Sequence, residues 1–446
     1  MLLGAGKSAT VLIDYLTRIC ATYSWQLVVA DASYESAASK LSNTSVARAV
    51  ALDITNSTER QLLIQNASVV ISLLPPHLHI YAAHDCVEIG RHLLTASYLD
   101  DSMRKLQEKI QQKELLFLCE MGLDPGIDHM SALKLLSAIE HEGGTITGFW
   151  SHCGGLVAPE SNDNPWHYKI SWNPRNIVRA GSNGAKFLLE GREVQIPYNQ
   201  IFQNCPTITL PGLPDLAWYP NRDSLSYIPL YGLKKIDTFI RTTLRYAPFF
   251  KGWNAVVQLG LTDETDENEI MHCKTLQQWL LYKIQRTDYE ATSLERFLQK
   301  RFTNFDAEQI EKQFNWLQLQ SNLPLAAHAR CSADILQYQM EQHLKLHAQD
   351  KDMVVMVHEA LYIHEGLLRK RTSRLVLKGV DGSRTAMATT VGLPLGIAAT
   401  LLLQNKIPTR GLHIPIVPDI YQPVLHELEA EGILFRELDS SAEPTL

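Results

Sequence analysis

Met1-Leu-Leu-Gly-Ala-Gly-Lys-Ser-Ala9 is typical of a buried strand that ends in a glycine turn and leads into a helix. That arrangement forms the phosphate-binding corner of a dinucleotide fold. Gly4 permits the sharp turn, Gly6 lets the backbone approach a pyrophosphate, and Ala9 keeps the helix close to its strand. The N-terminus of the helix offers N–H groups and a positive dipole end to the phosphate. The stretch therefore predicts a Rossmann domain that binds a nicotinamide cofactor.

The residues after this turn support the same fold. Apolar side chains recur at helical spacing, as a helix that packs on a sheet requires. These are Val11, Leu12, Tyr15, Leu16, Ile19 and Cys20. The next apolar run, Gln26 to Asp31, is short, as a buried parallel strand often is. Asp31 ends it 25 positions after Gly6, where an acidic residue can bind the adenosine ribose hydroxyls. The alternative is that the glycine turn does not bind a nucleotide and that Asp31 stands at this distance by chance.

The composition limits the class of protein. The chain has 446 residues, of which 45% are hydrophobic and 20% charged, and its net charge is −7. These values indicate an ordinary soluble globular protein of two or three domains. We expect neither nucleic acid nor an anionic membrane as a partner of an acidic chain. Seven scattered cysteines form neither a metal-binding spacing nor a disulfide framework, so we expect no metal site and a cytoplasmic location.

Two further expectations concern membranes and the start of the chain. The apolar stretch from Leu393 to Leu403 is too short to span a bilayer. A glycine loop stands where a signal peptide would have its hydrophobic region. Only Met1 to Leu3 precede the turn, which is short for a central strand. We therefore expect the natural strand to begin upstream of the recorded start.

Changes of pattern along the chain predict its domains. Strand and helix patterns alternate over residues 1–121, as in a parallel sheet built from βαβ units. Residues 122–252 and 346–385 are richer in tryptophan, tyrosine and proline and contain strand-like stretches, whereas 253–345 is charge-rich and helical. Residues 386–446 are predicted to return to the first domain.

Three strand ends of the first domain should border the nicotinamide, because ligands of open parallel sheets bind beyond the carboxyl ends of the strands. The strands are Val69–Leu74, His92–Thr95 and Leu115–Cys119. The loop after the last strand carries Asp124, which we expect to cap the following helix and to touch the ligand. Two neighbours, Asp128 and His129, are equally compatible with catalysis and with packing.

Polar residues further along the chain are candidates for ligand binding. Ser171 could contact the nicotinamide amide or be a plain loop serine. Arg222 and Arg245 lie in stretches flanked by proline or tyrosine, and a guanidinium fits a carboxylate in a bidentate manner. Each arginine could instead form a structural salt bridge, and the sequence does not show that the two converge.

Eight segments occur in the order in which one family has them. They are Leu2-Leu-Gly-Ala-Gly6, Val70-Ile-Ser-Leu-Leu-Pro75, Ala96-Ser-Tyr98, Glu120-Met-Gly-Leu-Asp-Pro-Gly-Ile-Asp-His129, Cys153-Gly-Gly-Leu-Val-Ala-Pro-Glu-Ser-Asn-Asp-Asn-Pro165, Tyr168-Lys-Ile-Ser-Trp172, Tyr219-Pro-Asn-Arg-Asp-Ser224 and Thr243-Leu-Arg-Tyr246. Over nearly the whole chain they resemble the glutamate-forming saccharopine dehydrogenases, also called saccharopine reductases. The two long segments are the most specific.

This resemblance implies an α/β fold of three parts. A Rossmann dinucleotide-binding domain is joined to a mixed α/β domain that carries substrate and dimer surfaces, and a small helical domain is inserted in the latter. By position, the resemblance places cofactor-binding residues at Gly4, Gly6, Lys7, Ser8, Asp31, Ala32, Ser33, Asp53, Ile54, Leu74 and Ser171. It places substrate-binding residues at Ser97, Tyr98, Asp124, Arg222, Thr243, Leu244 and Arg245. We expect a homodimer that binds a small-molecule substrate.

The chemistry that the resemblance implies is reversible. Saccharopine is a secondary amine that joins the side-chain carbon of lysine to the nitrogen of glutamate. Hydride transfer from that carbon to a nicotinamide gives an imine, and water splits the imine into glutamate and 2-aminoadipate 6-semialdehyde. Proton transfer is needed at the amine and at the water, and Asp124 is the candidate catalytic group.

Two alternatives and one question stay open at this point. The first alternative is a related amine-forming reductase, such as carboxynorspermidine dehydrogenase. The second is a nucleotide-binding protein without catalysis. The physiological direction, lysine synthesis or lysine breakdown, is not indicated by the sequence.

The cofactor prediction depends on the loop after the second strand. Fungal members resemble Cys-Arg-Thr there, an arginine suited to the 2′-phosphate of NADP. This chain has Ala30-Asp-Ala-Ser33 and no basic residue before Lys40. A carboxylate accepts hydrogen bonds from the ribose 2′-hydroxyl and repels a 2′-phosphate. We therefore predict a preference for NAD over NADP. The alternative is that Asp31 points away and an arginine from elsewhere reaches the phosphate.

Overall fold

The computed structural model describes residues 1–441, which form two compact units. Unit 1 comprises Met1–Ile146, Leu230–Leu233 and the described residues from Met356 onward. Unit 2 comprises Thr147–Pro229 and Lys234–Val355. The division predicted from the sequence, with boundaries after residues 121, 252, 345 and 385, is finer than these two units and stays a prediction.

Unit 1 begins with the predicted alternation of strands and helices. The strands are β1 (Leu2–Leu3), β2 (Leu27–Asp31), β3 (Ala47–Ala51), β4 (Val69–Ser72), β5 (His92–Thr95) and β6 (Leu116–Leu118). The helices are α1 (Thr10–Tyr23), α2 (Tyr34–Ala38), α3 (Ser57–Gln65), α4 (His79–Ile89), α5 (Asp101–Arg104), α6 (Gln107–Gln112) and α7 (Ile127–His141). Short 3-10 turns, Lys7–Ala9 and Pro76–Leu78, precede α1 and α4.

The strand order confirms the predicted Rossmann fold. The strands lie in the order β6-β5-β4-β1-β2-β3, and all neighbours are parallel. Leu2 on β1 is in register with Val29 on β2 and with Ile71 on β4. In this order the winding of the sheet reverses next to β1, which opens a crevice at the carboxyl ends of the strands.

Local sequence accounts for where these helices form. The buried residues of α1 include Leu12, Leu16 and Cys20, which recur at helical spacing and pack toward the core. Ser33 and Asn56 cap α2 and α3, because their side chains accept a hydrogen bond from the backbone N–H three residues later. Each cap satisfies a donor that the first helical turn leaves without a partner.

A buried ion pair joins α3 to α4. Arg60 Nε lies 2.5 Å from Asp85 Oδ2, and both side chains are only 6% exposed. Arg60 also donates to the carbonyl of Ile54, and Gln61 Nε2 donates to Asp85 Oδ1 at 2.9 Å. Because both charges are out of water, each depends on the other for compensation.

Unit 2 combines a mixed sheet with a helical region. The first elements are β7 (Thr145–Val157), α8 (Pro174–Val178), β8 (Ala185–Leu189), β9 (Arg192–Ile196), β10 (Thr207–Ile208), β11 (Leu216–Pro220), β12 (Arg222–Asp223), α9 (Tyr227–Leu230) and β13 (Thr238–Tyr246). Then follow α10 (Ala247–Gln258), α11 (Glu267–Ile270), α12 (Leu276–Thr287), α13 (Leu294–Arg301), α14 (Asn304–Trp316) and α15 (Ser332–His343). β13 pairs antiparallel with β11 and parallel with β7. The mixed sheet and the helices agree with the predicted fold class.

Tryptophans form the core of unit 2. Trp166, Trp253 and Trp279 are fully buried. The indole of Trp166 donates to the carbonyl of Gln313 at 2.9 Å, and Trp253 stacks on Phe249 with ring centroids 5.2 Å apart. The helical region is therefore packed on the elements that carry the Tyr168-Lys-Ile-Ser-Trp172 segment.

The final elements belong mostly to unit 1. They are β14 (Asp352–His364), β15 (Leu367–Lys378), α16 (Ala386–Leu403), β16 (Gly411–His413), α17 (Pro418–Ala430) and β17 (Arg436–Ser441). β16 pairs in parallel with β6 and so becomes the seventh strand of the Rossmann sheet. Before the last strand, Ile433 is buried and Phe435 stacks on His358. Pairing with β15 begins only at Arg436.

The helix α16 is longer than the apolar stretch read from the sequence. Its 18 residues have a mean hydropathy of 1.8, so length and composition alone would allow it to cross a membrane. However, 83% of it is buried inside the protein, as in the core helix of a soluble protein. It packs against α1, which explains why it is apolar around most of its circumference.

Replacing Arg60 with methionine should lower the free energy of unfolding by roughly 3–5 kcal/mol, because the Asp85 carboxylate would stay buried without its partner. Urea titration followed by circular dichroism measures this change. The matched control is Lys109→Met, which breaks the Lys109–Glu88 pair, whose side chains are 61% and 63% exposed. The control should unfold almost as the unaltered protein does, and equal losses in both variants would contradict the role of the buried pair.

Candidate active site

The glycine turn lies at the carboxyl end of β1, between β2 and β4. Gly4 has a φ of +97°, and a Cβ at this position would lie 3.0 Å from the carbonyl oxygen of Leu73. Gly4 N donates to Ala30 O at 2.8 Å, and Leu73 N donates to Leu3 O at 2.8 Å. Only glycine suits this turn, since both the left-handed backbone and the close approach exclude a side chain.

The start of α1 suits a pyrophosphate. A Cβ on Gly6 would have no atom within 4 Å, so the absence of a side chain leaves open space beside the turn. No side chain caps the 3-10 turn Lys7–Ala9, which leads into α1. Lys7 is exposed and Ser8 half-buried beside this space. The residues present therefore fit a dinucleotide, whose phosphates the backbone N–H groups would bind.

The carboxylate of Asp31 is bound to the glycine turn. Its Oδ2 accepts a hydrogen bond from Ala5 N at 2.7 Å, and its Oδ1 accepts one from Ser33 N at 2.9 Å. Lys40 reaches the same turn, donating to Ala5 O at 2.6 Å and also to the carbonyl of Gly6. The predicted ribose residue thus also holds the phosphate turn against the end of β2.

The remaining predicted cofactor residues are distributed over both units. Ala32 is exposed after β2, and Asp53 is exposed after β3. Hydrogen bonds from the Thr55 hydroxyl and backbone N–H lower the pKa of Asp53. Ile54 is buried and Leu74 half-buried at strand ends of unit 1, whereas Ser171 is buried in unit 2.

A buried histidine that the sequence did not indicate joins three strand-end residues. His79 Nδ1 lies 2.7 Å from the hydroxyl oxygen of Ser72, at the end of β4. Its Nε2 lies 2.8 Å from Ser97 Oγ and 3.2 Å from Thr95 Oγ1. Burial lowers the pKa of His79 to about 4, so the ring is neutral near pH 7. This ring therefore sets the position of Ser97, a predicted substrate residue.

Asp124 lies beside Tyr98 and does not cap a helix. The hydroxyl of Tyr98 donates to Asp124 Oδ1 at 3.3 Å, and both residues are half-buried. The Asp124–Pro125 peptide bond is cis. The helix α7 starts only at Ile127, after Gly126. The predicted capping role of Asp124 is wrong, because Asp128 instead accepts the hydrogen bond from Gly126 N, at 2.6 Å.

Asp128 and His129 belong to a buried network below this loop. His129 Nε2 lies 2.9 Å from Glu120 Oε2, and its Nδ1 lies 2.7 Å from the hydroxyl of Tyr231. Glu120 Oε1 accepts a hydrogen bond from Leu99 N at 3.0 Å. These side chains are almost completely buried, so the network supports the loops of Tyr98 and Asp124 from the protein interior.

In unit 2, β13 carries three of the predicted substrate residues. Arg245 is 5% exposed, and its guanidinium lies over the rings of Tyr168 and Phe249. One nitrogen donates to Leu244 O at 2.7 Å, whereas the buried Nε has no hydrogen-bond partner among the described residues. A buried donor without a partner is costly. Arg245 is thus held by aromatic faces, and the described residues form no salt bridge with it.

Arg222 occupies a different place on the same sheet. It is exposed, has a φ of +52°, and starts β12, which pairs with β8. Asn221 N donates to Arg241 O at 2.7 Å, which places Arg222 near the start of β13. Arg245 lies four residues beyond Arg241 along β13, a rise of about 13 Å. Thr243 is half-buried between these positions.

The supporting residues differ in how far the sequence indicated them. Glu120 and His129 lie in one of the eight segments that carry the resemblance, and Tyr168 lies in another. Lys40 was the first basic residue after Asp31, but local pattern gave no reason to place it on the glycine turn. His79 and Tyr231 carried no local signal, because their partners come from other strands and, for Tyr231, from 102 residues away along the chain.

Comparison with known proteins shows the family to which the chain belongs. The family model described as "Saccharopine dehydrogenase NADP binding domain" matches residues 1–118, and that described as "Saccharopine dehydrogenase C-terminal domain" matches residues 122–433. The chain is 32% identical to saccharopine dehydrogenase [NADP(+), L-glutamate-forming] of Saccharomyces cerevisiae, over 98% of both chains. A solved structure, apo saccharopine dehydrogenase (L-Glu forming) from the same yeast, has a TM-score of 0.87 and 30% identity, covering 98% of this chain and 99% of the other.

Some relatives are much longer than this chain. Alpha-aminoadipic semialdehyde synthase of Arabidopsis thaliana is 32% identical over 98% of this chain but only 44% of its own length. The chain therefore spans less than half of that relative. The resemblance recognised in the sequence is confirmed as far as the family is concerned.

The predicted preference for NAD is wrong. The matching family model is described as an NADP-binding domain, and the yeast relative carries NADP(+) in its name. The prediction treated the Asp31 carboxylate as free to bind a ribose and repel a phosphate. In the structure both of its oxygens accept hydrogen bonds from backbone N–H groups. The Lys40 ammonium donates to the carbonyls of Ala5 and Gly6. The charge at the end of β2 is therefore less negative than the residues Ala30-Asp-Ala-Ser33 alone suggest.

Because His79 has a folded-state pKa of about 4, below its usual 6.5, stability should fall as the pH is lowered between these values. In that range the unfolded chain binds a proton that the folded protein excludes. The free energy of unfolding therefore falls by roughly 3 kcal/mol by pH 4. In the variant His79→Gln this part of the pH dependence should be absent. Urea titrations at several pH values measure the free energy of unfolding. If its dependence on pH were the same in both proteins, the lowered pKa of His79 would be contradicted.

Proposed function

This chain belongs to the saccharopine dehydrogenase family, and on that premise we propose that it catalyses the reversible, NADP-dependent oxidation of saccharopine to L-glutamate and 2-aminoadipate 6-semialdehyde. The observation that carries the proposal is the match over 98% of both chains to a yeast enzyme of that name. The same relative supports NADP as the cofactor. The longer relatives, of which this chain spans less than half, do not enter the proposal.

The glycine turn would hold the pyrophosphate of the cofactor. The open space beside Gly6 and the N–H groups at the start of α1 supply this contact. Leu74, which follows β4, would border the ribose on the nicotinamide side, and the resemblance assigns Ser171 to the cofactor as well. When it is bound, the nicotinamide supplies the hydride acceptor.

Asp124 and Tyr98 would manage the proton at the reacting nitrogen. The Tyr98 hydroxyl donates to Asp124 Oδ1, which orients the carboxylate, and this carboxylate would accept a proton from the substrate amine or from water. Ser97 would hold the substrate in place, since its hydroxyl is fixed by His79. Because the His79 ring is neutral, one of its nitrogens donates and the other accepts, so it bonds to Ser72 and Ser97 without placing a charge beside the substrate.

The arginines of unit 2 would bind the carboxylates of saccharopine. Arg245 retains a buried Nε donor, and a carboxylate would satisfy it. Arg222 is exposed and follows Asn221, which bonds to Arg241, and Arg241 is about 13 Å from Arg245 along β13. A substrate with three carboxylates along an extended chain can use two anchors at such a separation. Thr243 and Leu244 lie next to Arg245 and would shape the same part of the site.

The alternatives considered from the sequence are not favoured. A related amine-forming reductase and a silent nucleotide-binding protein both retain the fold, but the relatives that match this chain over their full length are named saccharopine dehydrogenases. We also propose a homodimer and a cytoplasmic location, as the sequence predicted.

The experiment that tests the function follows NADPH absorbance during incubation of the purified protein with saccharopine and NADP, and then quantifies L-glutamate. Turnover with stoichiometric glutamate is expected. Cofactor binding without turnover of saccharopine would contradict the proposal.

Asp124→Asn should lower kcat by roughly 10²–10⁴-fold, because an amide cannot accept the proton. Its far-ultraviolet circular dichroism should match that of the unaltered protein, since Asp124 does not cap α7. Asp419→Asn, at an exposed carboxylate in the first turn of α17, is the matched control and should retain full activity. Full activity in Asp124→Asn would remove the residue from proton transfer.

Arg222→Met should raise the KM for saccharopine by roughly 10- to 100-fold, because a hydrogen-bonded charge pair is lost at an exposed position. The KM for NADP should change little. Arg192→Met, which removes another exposed arginine of unit 2, is the control. Unchanged saccharopine kinetics in Arg222→Met would exclude a contact between Arg222 and the substrate.

A further inference from the structure

The end of β2 poses a problem for a nucleotide that carries a 2′-phosphate. That phosphate needs a cation close to the second strand, where nicotinamide enzymes that use NADP commonly have an arginine. Residues 32–39 of this chain, Ala-Ser-Tyr-Glu-Ser-Ala-Ala-Ser, contain no basic side chain. Asp31 adds a negative charge at the same strand end. A cation from beyond this loop is therefore required if the chain binds NADP.

The ammonium of Lys40 supplies a cation at the end of β2. It follows α2 by two residues, and its side chain folds toward the glycine turn rather than into solvent. The ammonium donates to Ala5 O at 2.6 Å and to the carbonyl of Gly6. Both acceptors are uncharged, and the side chain is half-buried. The positive charge of Lys40 thus lies on the turn that would hold the pyrophosphate.

A single residue, Ala5, joins Lys40 to Asp31. Ala5 N donates to Asp31 Oδ2 at 2.7 Å, while Ala5 O accepts from Lys40. Burial lowers the pKa of Lys40, and the nearby Asp31 charge opposes that effect only in part. The ammonium would therefore gain from a further anion. Asp31 is less repulsive than its formal charge suggests, because both of its oxygens accept backbone N–H groups.

We propose that Lys40 is the residue with which this chain selects a nucleotide carrying a 2′-phosphate. The inference rests on the proposed use of NADP and assigns the selection to one side chain. On binding, the ammonium would exchange one of its carbonyl acceptors for a phosphate oxygen and stay on the glycine turn. A charge-assisted contact of this kind favours the phosphorylated ribose over a ribose with a free 2′-hydroxyl.

A purely structural role for Lys40 makes a different prediction. If the ammonium only ties the carbonyls of the glycine turn together, its loss would disturb the pyrophosphate site. Nucleotides with and without a 2′-phosphate would then bind more weakly by the same factor. The two roles can be separated by binding measurements that do not depend on turnover.

The test measures the Kd of the full chain for 2′,5′-ADP and for 5′-ADP by isothermal titration calorimetry. In Lys40→Gln, the side-chain amide can still donate to Ala5 O but carries no charge. The Kd for 2′,5′-ADP should rise about 10- to 100-fold, whereas the Kd for 5′-ADP should change by less than about threefold. Lys40→Arg, which keeps the charge, should preserve the preference for 2′,5′-ADP.

Two further variants complete the test. Lys105→Met removes an exposed lysine beside β5, three strands away from β2, and should change neither Kd. Lys40→Met provides a second neutral substitution if Lys40→Gln does not fold.

Three results would overturn the inference. Equal weakening of both nucleotides would make Lys40 a support of the glycine turn. A preference for 2′,5′-ADP that survives the loss of the charge would leave NADP use intact but exclude Lys40 as its determinant. No preference in the unaltered protein would contradict NADP use itself, and with it this inference, whereas turnover of saccharopine would stand as a separate result.

Discussion

The left-handed backbone of Gly4 is the constraint on which the nucleotide site depends. With a φ of +97° and the Leu73 carbonyl 3.0 Å from where a Cβ would be, the chain can leave β1 only through glycine. The turn is held from three sides, by Ala30 O, by the Asp31 carboxylate and by the Lys40 ammonium. These contacts aim the N-terminus of α1 at the crevice where the winding of the sheet reverses. A turn without these two side chains would lack the hydrogen bonds of Asp31 and the positive charge of Lys40.

Buried polar groups also hold in place the loops that are proposed to bind the substrate and transfer its proton. His79 connects the ends of β4 and β5 to Ser97, and the Glu120–His129–Tyr231 network supports the loops that carry Tyr98 and Asp124. A buried polar network specifies one arrangement, because any other leaves a donor or acceptor without a partner. The residues proposed to touch the substrate are thus positioned by side chains that do not touch it. In unit 2 the aromatic faces of Tyr168 and Phe249 do the same for Arg245.

The outcome of the sequence predictions follows the range over which each interaction acts. The glycine turn, the crossover helix and the strand-end loops were predicted because they depend on neighbouring residues and on simple periodicity. The cap assigned to Asp124 was wrong by a few residues, since Asp128 could satisfy the same backbone donor. The cofactor preference was wrong for a deeper reason. A carboxylate was judged by its identity, whereas the hydrogen bond from Ala5 N and the Lys40 ammonium on the same turn come from 26 and 9 positions away along the chain.

The amino-acid sequence by itself determined the fold class, the family and the segments that border the site. These properties reside in local pattern and in ordered motifs, which survive without knowledge of three-dimensional neighbours. Only the tertiary structure decided which charges face each other. It placed Lys40 on the glycine turn, left the Nε of Arg245 without a partner among residues 1–441, and joined His129 to Tyr231 across 102 residues. The physical reason is that electrostatic and hydrogen-bond energies depend on distance and burial, and a linear chain specifies neither until it has folded.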